Sequence, residues 1–159
     1  MHMIEVLTGS LDDEGVSEAA RLLHDFNVEY DDPAPSPAVL APRLAGLVAD
    51  GHVVVLLARD DENATVGVAV MRVQPAIIGL AMEAYLAELY VVPTRRGQGF
   101  GRELITAALR VAREQGADYA FLITSETDRL ARRLYEAAGF RRTEGEGGAL
   151  MLAYERDLP

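Results

Sequence analysis

The 159-residue chain contains no cysteine. That excludes disulfides, a thiolate nucleophile and any cysteine-ligated metal. It contains no lysine either, so all fifteen basic residues are arginine. The three histidines, His2, His24 and His52, are scattered without ligand spacing. A zinc site would need carboxylate help, and no metal is expected. No apolar run approaches the roughly 20 residues that span a bilayer. The opening MHMIEVLTGS lacks a basic segment followed by a long apolar stretch, so no secretory signal is read. The expectation is a cytoplasmic protein without membrane association.

Positive charge is scarce overall but not everywhere. The net charge of −10 at pH 7 argues against nucleic acid as a partner, since a duplex binder presents a basic footprint. Residues 1–90 hold four arginines against fifteen acids, whereas residues 91–159 hold eleven arginines against ten acids. This asymmetry suggests an anionic ligand toward the C-terminal half and a cationic one toward the N-terminal half. A composition bias explains the choice of arginine but not its distribution.

What is present is ordinary for a globular domain: half the residues are apolar, enough for one substantial core. Residues 3–7 read as a first strand. Between Leu11 and Asn27, Val16, Ala19, Ala20, Leu22, Leu23 and Phe26 recur at helical spacing. Pro33, Pro35 and Pro37 interrupt regular structure. Ser36 and Pro37 then form an N-cap and first-turn pair for a second helix ending at Gly51. Strands are expected at 52–58, 65–73 and 84–92, followed by a helix over 99–115 closed by Gly116. A buried strand at 119–124, a short helix at 128–138 and two last strands at 140–143 and 149–156 complete the chain. Three consecutive strands ahead of a helix exclude a simple doubly wound fold. An α/β (α+β) arrangement, with a mixed sheet and helices on both faces, fits better.

The stretch Arg95-Arg96-Gly97-Gln98-Gly99-Phe100-Gly101-Arg102 joins a strand to a helix. At such a junction unpaired N–H groups converge and the helix dipole adds roughly half a positive charge. Glycines let the backbone approach an anion, and Arg95, Arg96 and Arg102 can add charge-assisted bonds. A P-loop would end in Gly-Lys-Ser/Thr, and Gly101-Arg102-Glu103 does not. A dinucleotide fingerprint spaces its glycines differently and sits in an early βαβ unit. Neither fits.

Arg96-Gly97-Gln98-Gly99-Phe100-Gly101 resembles the Arg/Gln-x-x-Gly-x-Gly/Ala signature of the GNAT superfamily of acetyl-CoA-dependent N-acetyltransferases. Leu89-Tyr90-Val91-Val92-Pro93 precedes it, as in that family. Downstream, Leu134-Tyr135-Glu136-Ala137-Ala138-Gly139-Phe140 resembles the family's Leu-Tyr-Glu-x-x-Gly-Phe helix end. The resemblance spans essentially the whole chain. It implies one domain over residues 1–159, with a mixed six- to seven-stranded sheet flanked by about four helices. It also implies a splay between the fourth and fifth strands, helped by a bulge near Tyr90.

By this resemblance acetyl-CoA is the co-substrate. Gly97, Gln98, Gly99, Phe100, Gly101 and Arg102 would take its pyrophosphate, while Arg96 would hold the loop or a phosphate. Leu89, Tyr90 and Val91 would pair with the pantetheine arm. Tyr135 matches the position that protonates the departing thiolate; packing in the core is the competing role. Glu88 lies where some members place a water-mediated base, and a salt bridge to an arginine competes with that reading. Asp128 stands where the family often has an asparagine contacting pantetheine, and it also suits a helix cap.

The acceptor amine is less defined. Glu29, Tyr30 and Asp31 cluster in the loop after the first helix, in a markedly acidic region, and favour a small cationic amine. A solvated helix face would look the same. A protein N-terminus, a lysine, an amino acid or a non-catalytic acyl-CoA sensor stay open, as do monomer and homodimer.

Overall fold

A computed structural model describes residues 2–7 and 13–159, with only the backbone of Asp13. The expected helix start at Leu11 and the acid Asp12 lie outside the described residues. The elements are β1 (Met3–Leu7), α1 (Asp13–Glu29), α2 (Pro37–Ala49), β2 (Val54–Arg59), β3 (Thr65–Pro75), β4 (Met82–Val91), α3 (Phe100–Glu114), β5 (Ala117–Phe121) and α4 (Arg129–Ala137). A 3-10 turn at Pro93–Arg95 leads from β4 toward α3. The chain divides into two compact units, Met1–Leu122 and Ile123–Pro159.

In the first unit the sheet order is β1-β2-β3-β4-β5. The first four strands pair antiparallel, and β5 runs parallel to β4. A parallel neighbour needs a crossover, which α3 provides. The helical stripe read in the sequence buries Val16, Ala19, Leu22 and Leu23 of α1 beside Leu44 and Val48 of α2. They pack on Val55, Leu57, Val68 and Val70, which mark one face of the sheet. Gly67 points to the other face, where an added Cβ would come within 3.0 Å of Leu104 on α3. Phe100, Leu104, Ile105, Ala108 and Val111 of α3 are buried there. Full burial of Leu22, Leu56, Leu57 and Leu104 contributes about 1.5–3 kcal/mol each.

One charge goes inside. Arg59, 9% exposed, donates to Glu5 of β1 at 2.9 and 3.0 Å and to Thr65 of β3 at 2.8 Å. It also pairs with Glu18 of α1 at 3.1 Å, and Thr65 donates to the same carboxylate. Burial works against the guanidinium charge, yet these carboxylates hold its pKa above the ordinary value. The network ties α1 to three strands.

Two expectations need correction. Ser36 occupies the N-cap of α2 with Pro37 in the first turn, but its side chain makes no capping bond. More importantly, the strands expected at 140–143 and 149–156 do not form, so the sheet has five strands, not six to seven. In the second unit Thr143 and Leu150 make only an isolated antiparallel bridge. Glu144 N–H donates to Ala149 O and Met151 N–H to Arg142 O, both at 2.9 Å. An apolar run becomes a strand only where a partner ladder receives it, and Leu150, Leu152 and Tyr154 remain exposed instead.

Candidate active site

The β4–α3 junction has the geometry that an anion requires. Gly97 and Gly99 adopt φ of 77° and 96°, values that side-chain-bearing residues rarely take. Gly99 is the N-cap of α3, and the helix's first hydrogen bond runs from Glu103 N–H to Gly99 O at 3.0 Å. The preceding N–H groups, of Phe100, Gly101 and Arg102, therefore point out of the helix end. Phe100 itself is a core residue, 2% exposed, so its contribution to a ligand is its backbone. Arg102 is exposed in the first turn.

The β4–β5 ladder is short. β4 pairs with β5 only from Met82↔Ala117 to Tyr85↔Phe121, while its ladder with β3 continues to Val91. Residues 86–91 thus leave one backbone edge without a strand partner. A β-bulge lies in β4, though not at Tyr90. The register steps from Met71↔Leu86 to Val70↔Glu88, so Ala87 is the extra residue. Partners across an antiparallel pair share a face. Leu86 therefore lies on the α3 face and Glu88, with Tyr90, on the α1–α2 face.

That placement determines Glu88's environment. The side chain is half-buried, and burial pushes its carboxyl pKa above the ordinary value. Among the described residues it forms no salt bridge, so the structural arginine pairing weighed from the sequence is not what holds it. Tyr90 is 6% exposed, its ring stacked on Phe26 of α1 at 5.2 Å. Burial, aided by the Glu29 charge, raises its hydroxyl pKa. Tyr90 can offer a ligand its backbone; Leu89 and Val91 face the other way.

The arginines divide. Arg96 Nη2 donates to both oxygens of Glu29 at 2.7 and 2.9 Å, and its Nε donates to Val91 O at 3.0 Å. Arg95 pairs with Asp60 in the β2–β3 turn at 3.0 Å. Glu29, expected at the acceptor, is the carboxylate that accepts from Arg96. Tyr30 meets Phe26 edge-on at 5.3 Å, and Asp31, at φ 55°, turns the chain after α1. Gln98 Nε2 reaches Thr94 O at 3.4 Å across the loop.

Two partners escaped the sequence reading. Asp60 carried no motif. His2 stacks on Phe100 at 3.7 Å, with Nδ1 3.0 Å from Glu103 but off the hydrogen-bonding direction. No local pattern announces either contact.

In the second unit, Asp128 caps α4: its side chain accepts from Ala131 N–H at 3.1 Å. Tyr135 is half-buried in α4, edge-on to Phe140 at 6.2 Å.

The sequence matches the profile of the acetyltransferase (GNAT) family over residues 19–140. The chain belongs to the GNAT acetyltransferase family. Its fold superposes on a crystal structure from Arthrobacter sp. FB24, assigned as an acetyltransferase, with TM-score 0.84 and 37% identity. That match covers 98% of this chain and 96% of the other. An uncharacterized N-acetyltransferase of Archaeoglobus fulgidus is 40% identical over 60 residues, 38% of this chain and 41% of that protein. The thialysine N-epsilon-acetyltransferase of Bos taurus is 38% identical over 64 residues, 40% of this chain and 38% of that protein. The matches to these two curated relatives span less than half their length. The GNAT family is one of acyltransferase enzymes that use acetyl-CoA. No helix among the described residues is long and apolar enough to cross a membrane.

Proposed function

We propose that this chain transfers an acetyl group from acetyl-CoA to a primary amine by direct attack. The observation that carries the reading is the stretch of β4 beyond Tyr85↔Phe121, where the β5 ladder has ended, on the same strand that leads into the glycine loop. An extended pantetheine arm suits the unpartnered edge of residues 86–91, in the manner of an added strand. The pyrophosphate suits the N-terminus of α3.

Acetyl-CoA supplies the activated thioester carbonyl. The amine nitrogen bonds to that carbon as the carbon–sulfur bond breaks, so nitrogen must lose a proton and the thiolate must gain one. Glu88, its pKa raised by burial, takes the first through a water molecule. Tyr135 gives the second. A β4 backbone N–H freed near the Ala87 bulge steadies the carbonyl oxygen as charge develops.

The acceptor is a small cationic amine. Asp31 and Asp32 are exposed at the end of α1, and the bovine relative's name specifies a side-chain amine. Tyr30 beside them offers a ring face to a cation. Incubation with acetyl-CoA and a panel of polyamines, aminoglycosides, lysine analogues and peptides, following thiol release, tests this. Release with small cations supports it; release only with peptides moves the acceptor to a protein N-terminus or lysine. Tight coenzyme binding without any release would sink catalysis and leave a sensor.

A further inference from the structure

The two arginines that lead into the glycine loop are held by carboxylates from distant segments. Arg96 forks onto Glu29, the last residue of α1, at 2.7 and 2.9 Å. Its guanidinium also lies 5.6 Å from the centre of the Tyr90 ring, which in turn stacks on Phe26 of the same helix at 5.2 Å. Its neighbour Arg95 meets Asp60 at 3.0 Å. Asp60 is itself immobilised, since it accepts from Glu62 N–H at 3.0 Å and Ala64 N–H at 2.9 Å. The Ala64 bond and the arginine hold its carboxyl below the ordinary pKa. Directly after these two struts come Gly97 and Gly99, the residues with most backbone freedom to lose when a ligand binds. A loop ordered beforehand loses less, and binds more tightly for it.

We propose that Glu29 and Asp60 are positioning residues for the coenzyme. Through Arg96 and Arg95 they hold the glycine loop in its phosphate-receiving shape, and Arg102 is the arginine that meets the phosphate. Among the described residues the Arg102 guanidinium has no carboxylate partner, whereas the other two are occupied. The proposal rests on reading the loop as the pyrophosphate cradle. It takes Glu29 out of the acceptor site, because both its oxygens face Arg96.

Calorimetry with coenzyme A on the full chain tests it, using Glu29→Gln, Glu29→Asp, Asp60→Asn, Arg96→Gln and the Glu29→Gln/Arg96→Gln double variant. Glu29→Gln should raise Kd about fivefold, Asp60→Asn by about the same, and Glu29→Asp should recover most of the loss. Arg96→Gln should cost no more than Glu29→Gln, and the double variant no more than either, because all remove one strut. Thermal midpoints should stay near wild type, which a merely structural pair would not allow. Unchanged affinity in Glu29→Gln and Asp60→Asn, with the wild type binding normally, would overturn this proposal alone. So would additive losses in the double variant, the mark of Arg96 touching phosphate directly. A wild-type chain that did not bind coenzyme A would remove the cradle reading and this proposal with it.

Discussion

Tyr85 of β4 and Phe121 of β5 form the last pair of the parallel ladder, with their rings stacked 5.0 Å apart. β5 ends there, while β4 runs on to Val91. The stacked pair therefore closes the ladder. Phe121→Ala should lower the unfolding free energy by about 2 kcal/mol, through lost burial and lost stacking. Phe121→Tyr should restore most of it. Urea denaturation checks both, and an unaffected Phe121→Ala would mean the ladder ends there for another reason.

Gly99 separates folding from binding. An added Cβ there meets only the His2 ring, at 3.9 Å, so space is not limiting; the φ of 96° is. Gly99→Ala should cost about 1–2 kcal/mol of stability from backbone strain. Gly99→Asp places a tolerated capping side chain at the helix start, so stability falls less. Its charge repels phosphate, however, and coenzyme affinity should fall at least about tenfold. Paired denaturation and calorimetry read the two effects, and unchanged affinity in the aspartate variant would refute the cradle.

Glu88 makes a prediction in pH. Burial raises its folded pKa above the ordinary 4.5, so the fold favours the protonated form. Stability therefore declines as pH rises from the unfolded value through the raised folded value, then levels off. Glu88→Gln removes the buried charge and should be more stable than wild type at neutral pH. As a base, though, Glu88 must be ionised, so the wild-type rate climbs through that same raised pKa. The variant should lose about 10²-fold or more in kcat, together with that limb of the profile. A retained limb would assign the base elsewhere.

Tyr135→Phe keeps the ring that meets Phe140 edge-on at 6.2 Å and removes only the hydroxyl. Turnover should fall about tenfold or more while coenzyme affinity changes less than about twofold. Equal losses in stability and rate would return Tyr135 to a packing role.

The residues differ in how far they could be read without coordinates. Gly97 and Gly99 were legible because alternating glycines after a strand leave few conformations for the junction, and both have positive φ. The α1 stripe was legible for a similar reason, since burial of one helical face leaves its period in the sequence. Asp128 as a cap followed from its position just ahead of α4. The strands expected at 140–143 and 149–156 misled, because an apolar run carries no information about whether a neighbouring edge will receive it. Glu88's freedom from arginine was equally invisible, since it depends on which residues of other elements face it.

The sequence by itself determined the order of elements through α4, the glycine loop and the family, because helical period, turn glycines and contiguous motifs are local properties. Only the tertiary structure decided that Arg96 grips Glu29 across 67 positions and Arg95 grips Asp60 across 35. It likewise decided that the bulge falls at Ala87 and that the β4–β5 ladder ends at Tyr85. Those are pairings between distant segments. Which carboxylate reaches which arginine depends on how helices pack on the sheet, and the local sequence around either partner does not encode it.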